Sequence, residues 1–397
     1  MNEQIRPTLR PGSSGAAVAE LRDILRKVGC LNDDAVDDTA PPDELVVDAT
    51  LDTAIRFFQQ TQGLKADGIV GRLTWARALE ARWTLGERLL LCTPGSLMRG
   101  RDVTTLQRRL SDLGFNCGRV DGIFGQRTEN GLREFQVNMG LTADGTCGPQ
   151  AVEALRGLAR AITGGRAERL RDSYSFDDQR TGLFGKVIVL DPGHGADDAG
   201  SIGHGLVERD VVADIALRVE ALLAQQGAVV LLTRSPHVFE GRGMDDESRA
   251  LFANDQRADA VISLHVDSCE TPLANGVAAF YFGGGRAGGH SETGQMLAGA
   301  LVSAICAVTG LADLRVHAKQ WDLLRLTTMP AVRLYIGYLS HLGDAEKLAS
   351  ETFRDAAAQA IAQAVADAFH PRDEKTGTVE LKDPQGSGVS TPASRLL

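Results

Sequence analysis

Among the 397 residues of this chain, His194, Glu208 and His265 have the types and spacing best suited to chemistry. Two imidazoles and a carboxylate leave one corner of a tetrahedron open, the donor set of a catalytic zinc site rather than a closed structural one. All eight histidines lie at or after His194, which confines imidazole chemistry to the second half. Each residue alone has a plainer reading. Glu208 suits the positive end of a helix, and a single histidine at a strand end is commonly structural.

The elements that must position this set are legible from the hydrophobic pattern. Asp191-Pro192-Gly193-His194-Gly195 follows the strand-like run Val187-Ile188-Val189-Leu190, and its proline and glycines force a turn that can aim an imidazole. His265 closes a second strand-like run, Val261-Ile262-Ser263-Leu264. Glu208 opens a helix with Val211, Ile215, Val219 and Leu222 on one face. Strand-like segments at 187–190, 228–233, 260–265, 277–282 and 331–339 alternate with helix-like ones at 211–226 and 295–308. This alternation predicts an α/β domain, a mostly parallel sheet with helices on both faces, where chemistry gathers at the carboxyl ends of strands.

The first half is an internal duplication. Val18-Ala19-Glu20-Leu21 matches Val103-Thr104-Thr105-Leu106; further on, Phe58-Gln59, Gly63-Leu64 and Asp67-Gly68 match Phe135-Gln136, Gly140-Leu141 and Asp144-Gly145. Copy one carries extra residues in the acidic stretch 32–43, which a surface loop tolerates at small entropic cost. Each copy predicts a small module of three helices. In copy two Val120-Asp121-Gly122-Ile123-Phe124-Gly125 needs glycines at a tight turn, whereas copy one has Glu44-Leu45-Val46-Val47-Asp48 with neither. The expected organisation is modules at 8–82 and 90–160, a linker or docking arm at 161–185, the α/β domain at 186–370, and a disordered tail at 371–397 poor in apolar residues.

Composition narrows the partners. With 43% hydrophobic and 24% charged residues the chain suits two to three compact domains. A net charge of -10 and a pI near 5.4 argue against nucleic acid or an anionic membrane surface as the main partner. The start, Met1 to Pro7, reads as neither signal peptide nor lipid anchor, and the apolar stretch 298–312 is too short to span a bilayer. The expectation is a cytoplasmic protein without membrane insertion. Its six scattered cysteines, with no CxxC pair, are expected to be reduced and mostly buried.

The helical modules, with Asp-Gly-Ile-Phe-Gly at 121–125, Phe-Gln at 135–136 and Gly-Leu-x-x-Asp-Gly at 140–145, resemble the peptidoglycan-binding repeats of wall hydrolases. The second half resembles the zinc-dependent N-acetylmuramoyl-L-alanine amidases. Asp-Pro-Gly-His-Gly, Glu-Arg-Asp-Val and Ser-Leu-His-Val-Asp carry the likeness, with Thr233-Arg234, Arg249, Ala253-Asn254 and Met329-Pro330-Ala331. That resemblance implies Zn2+ at His194, Glu208 and His265. Family members follow Met-Pro-Ala with Val-Leu-Val-Glu-x-Gly-Phe-x-Ser-Asn, whose glutamate is the general base. Here the run is Val332-Arg333-Leu334-Tyr335-Ile336-Gly337-Tyr338-Leu339-Ser340-His341, with Tyr335 in the glutamate's place. A phenol of ordinary pKa near 10 is a poor proton acceptor at neutral pH, and loss of a positioned base forfeits about 10²- to 10⁴-fold. His204 or Asp210 is the alternative source of a base. Asp267 and His341 replace two further asparagines of the family.

Duplicated repeats, a damaged amidase-like domain and a polar tail together resemble an actinobacterial, mycobacterial branch of the family that regulates peptidoglycan precursor synthesis. That resemblance implies a phosphoprotein that stimulates MurA, the UDP-GlcNAc enolpyruvyl transferase, once threonine is phosphorylated. It further implies contacts with a forkhead-associated-domain protein, a lipid II flippase and muramyl peptide precursors. Thr376 and Thr378 are the candidate modification sites, with Thr391 also in the tail. Two other readings stay open: an active zinc amidase, and a non-catalytic wall-binding protein.

Overall fold

The duplication takes the form of two three-helix modules in the computed structural model, which describes residues 6–31, 45–93, 95–158, 176–234, 244–284 and 289–371. Helices Ala16–Lys27, Ala49–Thr61 and Arg72–Ala81 enclose Leu21, Leu25, Ile55, Phe58 and Trp75. Helices Arg101–Asp112, Gln126–Asn138 and Pro149–Leu158 enclose Leu106, Leu110, Leu132, Phe135 and Leu155. The second module adds a short antiparallel pair, β1 (Met98–Arg99) with β2 (Ile123–Phe124). The tail threonines Thr376, Thr378 and Thr391 and the stretch 32–43 lie outside the described residues.

The repeat signature has a structural cause. Gln136 Nε2 donates to Asp144 Oδ1 at 2.8 Å while its Oε1 accepts from the Gly145 N–H at 2.9 Å, so a buried carboxamide closes the Asp-Gly turn. Gln59 does the same for Asp67 and Gly68. Gln107 clamps Asp121 and Gly122 in the second copy. In copy one that position is Arg22, and the Asp-Gly it would clamp is missing: clamp and turn diverged together.

The second half folds around a six-stranded sheet. Its strands are β3 (Val187–Pro192), β6 (Val229–Leu232), β7 (Ala260–Asp267), β8 (Val277–Phe282), β9 (Asp313–Lys319) and β10 (Ala331–Tyr338), in the order β6-β3-β7-β10-β8-β9. All neighbours are parallel except β10 with β8. A hairpin of β4 (Ile202–Gly203) and β5 (Leu206–Val207) leads into the helix Glu208–Gln225. On one face pack helices Glu208–Gln225, Glu292–Thr309 and Glu351–Phe369, and on the other Asp246–Asp255 and Asp322–Leu326. Strands covered on both faces need apolar residues throughout, and β7 is buried from Ala260 to Val266. The helix Glu292–Thr309 is long and apolar enough to cross a membrane; here Leu297, Leu301, Val302 and Ile305 are buried in the core.

Two expectations are refined. Of the two readings of 161–185, a linker or a docking arm, the described part 176–185 suits the arm: Phe176 is buried against Phe369, and the Gly182 N–H donates to the Phe369 carbonyl at 2.9 Å. Of the six cysteines, none in a disulfide, only Cys117 and Cys147 are buried.

The repeats dock on the α/β domain. Arg325 grips Glu80 with two bonds, 2.7 and 3.0 Å, while Arg77 bonds both Glu80 and Asp322. Trp321 Nε1 donates to the Gly63 carbonyl at 2.9 Å. From the second repeat, Arg119 donates to the carbonyls of Thr327 and Met329. Burial works to raise the Glu80 pKa, but Arg325 and Arg77 outweigh it and hold the carboxyl below the ordinary range. Its contribution is therefore complete above the unfolded carboxylate pKa of about 4.3 and lost as pH falls through the lower folded value. Arg325→Ala should cost about 3 kcal/mol by leaving this carboxylate half-compensated. Denaturant titration at neutral pH should register that loss, and the gap from the parent should shrink once acid protonates Glu80 in the folded protein.

Candidate metal centre

His194, Glu208 and His265 converge at the carboxyl edge of the sheet. The turn after β3 holds His194 at φ 61°, a left-handed conformation rare outside glycine. Arginines hold that strained turn in place. Arg249 Nη2 donates to the His194 carbonyl at 2.7 Å, and Arg234 donates to the carbonyls of Pro192 and Gly193 at 2.8 and 3.1 Å. Arg249 itself is anchored on buried Asp191, which also accepts from Thr233 Oγ1 at 2.5 Å and Ser263 Oγ at 2.6 Å. Burial would raise the Asp191 pKa, yet the Arg249 charge and these hydroxyls bring it down to about 2.

Glycines leave the room the rings need. A β-carbon at Gly193 would overlap the His265 ring, and one at Gly200 would lie 2.6 Å from both Glu208 Oε2 and His194 Cδ2. The donor atoms then gather around one carboxylate oxygen: Glu208 Oε1 is 2.9 Å from His265 Nδ1 and 3.1 Å from His194 Nε2. All three ligand atoms lie within 4.8 Å of one another. A tetrahedral zinc with bonds near 2.1 Å has ligand atoms about 3.4 Å apart, so the set fits one such ion. The second Glu208 oxygen accepts from the Ser201 N–H at 2.8 Å, which fixes the carboxylate's orientation.

The electrostatics follow from burial against proximity. Burial opposes charge on Glu208, but bonds with His194 and His265 outweigh it and hold the carboxyl well below the usual range. For His194, the bonds to Glu208 and Asp198 overcome burial and raise its pKa; for His265, burial prevails and lowers it. The carboxylate is thus ready to ligate, and one imidazole is kept neutral.

Tyr335 on β10 stands directly opposite His265 on β7 in the parallel register. Its ring stacks on His265 at 5.2 Å and meets Phe280 edge-on at 5.4 Å. Burial pushes the phenol up to about 12, so at neutral pH it is a donor. A cleft of about 590 Å³ surrounds the centre, lined also by Asp198, Asp246, Asp267 and Arg333. Neither His204 nor Asp210 lines it. His204 is exposed on the β4–β5 turn and Asp210 is exposed beside Arg209, which overturns both as substitute bases. His341 caps the helix Leu342–Ala349 through the Asp344 N–H, a structural role, while Asp267 does face the cleft. Asp198, which holds His194 Nδ1 at 2.8 Å, was not singled out in the sequence; its position four residues after a turn histidine was the available signal.

Residues 188–367 match the N-acetylmuramoyl-L-alanine amidase family, and residues 14–77 and 99–155 match a peptidoglycan binding domain. The chain is 40% identical over 378 residues to the N-acetylmuramoyl-L-alanine amidase CwlM of Mycobacterium tuberculosis, covering 93% of this chain and 92% of that one. It is 32% identical over 179 residues to the amidase LytC of Bacillus subtilis, covering 45% of this chain and 34% of LytC. Among solved structures, the catalytic domain of the amidase CwlV from Bacillus (Paenibacillus) polymyxa matches with 30% identity and a TM-score of 0.41, covering 46% of this chain and 97% of that domain.

Metal analysis of the purified chain loaded with zinc should give close to one ion per molecule, abolished by Glu208→Ala. Asp198→Ala should weaken binding by about 10- to 100-fold, because the carboxylate that orients His194 is gone. Both imidazoles must be neutral to ligate, so affinity should fall as pH drops through the raised His194 titration, before His265 protonates. Zinc retention that ignores these substitutions would show that the ion sits elsewhere.

Proposed function

The chain belongs to the N-acetylmuramoyl-L-alanine amidase family, and from that membership we propose that it is a catalytically impaired amidase scaffold working as a cytoplasmic regulator of peptidoglycan precursor synthesis. The observation that carries this reading is Tyr335: the strand position facing His265 has a phenol pushed up to about 12 where the family's hydrolases have a carboxylate. A bound zinc would supply Lewis acidity at this centre. The chain's own residues would then have to take a proton from the attacking water, and a neutral phenol cannot accept one. A scaffold so disabled can meet nucleotide- and lipid-linked muramyl peptides without destroying them.

Regulation would run through protein contacts: stimulation of a MurA-type enolpyruvyl transferase after phosphorylation at Thr376 or Thr378, and engagement of a forkhead-associated-domain protein and a lipid II flippase. Phosphothreonine adds charge and acceptor oxygens that an arginine-lined pocket holds. Coverage of 92% of the mycobacterial relative, repeats included, supports a shared role for the whole chain. The competing reading, a working zinc amidase, has that relative's printed name in its favour.

The two separate on one assay. Zinc-loaded protein should cleave muramyl-L-alanine peptides at least about 10²-fold more slowly than its Tyr335→Glu variant. Turnover by the unaltered chain equal to that of the variant would remove the impairment and with it the regulatory reading. Thr-phosphorylated protein, but not a Thr376→Ala/Thr378→Ala form, should raise the rate of a MurA-type enzyme.

A further inference from the structure

We propose that the cleft between the second repeat and the amidase domain binds a small molecule carrying a diphosphate group. This cleft, of about 1090 Å³, shares no lining residue with the metal cleft. The repeat contributes Arg119, Arg127 and Arg133, and the amidase domain contributes Arg257. Among the described residues a single lining carboxylate, Glu134, stands against these four guanidinium groups. In a chain of net charge -10 this cleft is thus locally positive, which favours an anion.

Two of the four are available to a ligand. The side chains of Arg127 and Arg257 form no hydrogen bond or ion pair among the described residues, whereas Arg133 is engaged by Glu129. Arg127 is also placed: its stem runs across Gly118, where a β-carbon would come within 3.1 Å of Arg127 Cδ. Arg119 fixes the geometry of the cleft itself, because its bonds to Thr327 and Met329 tie the two walls together.

Shape and chemistry then select the ligand class. The volume lies just above the usual range of small-molecule sites, about 300–1,000 Å³, so a lone phosphate would leave most of it empty. Two linked phosphates bring more charge and more acceptor oxygens than one, and each can take paired N–H bonds from a guanidinium group. Asn116, Asn130 and Thr328 offer donors and acceptors to a polar body attached to them. The site requires neither zinc nor hydrolysis, so it stands apart from the reading of Tyr335.

A diphosphate can arrive in solution or on a lipid, and the test distinguishes them. The full chain is titrated calorimetrically with inorganic diphosphate and with UDP-glucose, and floated with phosphatidylcholine vesicles containing a polyprenyl diphosphate. Binding tighter than about 1 mM is expected for at least one diphosphate-bearing probe. Arg127→Glu/Arg257→Glu should weaken it at least tenfold while zinc content and melting temperature stay unchanged. If that variant does not fold, Arg127→Gln/Arg257→Gln is read for the same tenfold loss. A charge-matched control, Lys65→Glu/Arg72→Glu on the exposed surface of the first repeat, should bind as the parent does. No binding of any probe, or equal weakening by the control, overturns the proposal.

Discussion

A carboxylate taken out of water must find positive charge or dipoles nearby, and Glu208 is where this molecule meets that demand. It is buried, yet its Oε1 accepts from the Val266 N–H at 3.0 Å and faces two imidazole nitrogens. Those contacts constrain three separate elements at once: the turn after β3, the first turn of the helix Glu208–Gln225 and the end of β7. The left-handed backbone at His194, the bare glycines at 193 and 200 and the Asp191–Arg249 pair beneath the turn all serve the same requirement. Without a cation or a proton shared among the three groups, the arrangement would concentrate uncompensated polarity at the sheet edge.

That requirement also accounts for what sequence reasoning could reach. His194 and His265 stand at the ends of apolar strands whose period is plain, and Glu208 opens a helix with a clear buried face, so the metal set was legible. The sheet was legible for the same reason, apart from β9, whose Asp313–Lys319 is half-exposed and lacks a continuous apolar run. Asp198 escaped notice because an exposed aspartate among neighbouring acids has no periodic signature. The docked arrangement escaped for a different reason. Glu80 and Arg325 lie 245 residues apart, and charged residues on short helices read as solvent-facing until a partner surface buries them.

Repeat signatures carry a related lesson. Phe-Gln and Asp-Gly steps mark these modules because a glutamine carboxamide must close each turn, a demand of folding that holds whether or not a glycan is bound. The paired divergence of Arg22 and of the loop that lacks the Asp-Gly turn fits this account. The modules' placement adds something the motifs alone do not: both press on the segment 320–329 of the amidase domain. A repeat committed to such a contact has less surface to offer a wall polymer.

The same segment connects the repeats to Tyr335. Trp321, whose indole N–H is held by the Gly63 carbonyl, packs 4.7 Å from Phe280, which in turn meets Tyr335, which stacks on His265. A glutamate in place of Tyr335 would have to keep its charge among these rings, beside Asp246 and Asp267 and near Glu208. Arg333, the nearby cation, is already paired with Asp246 at 2.5 Å. The phenol exchanges that electrostatic cost for ring packing continuous with the docking surface. The ring beside the metal site and the attachment of the repeats therefore belong to one cluster: Tyr335 stacks on His265 and also extends the packing on which the first repeat rests.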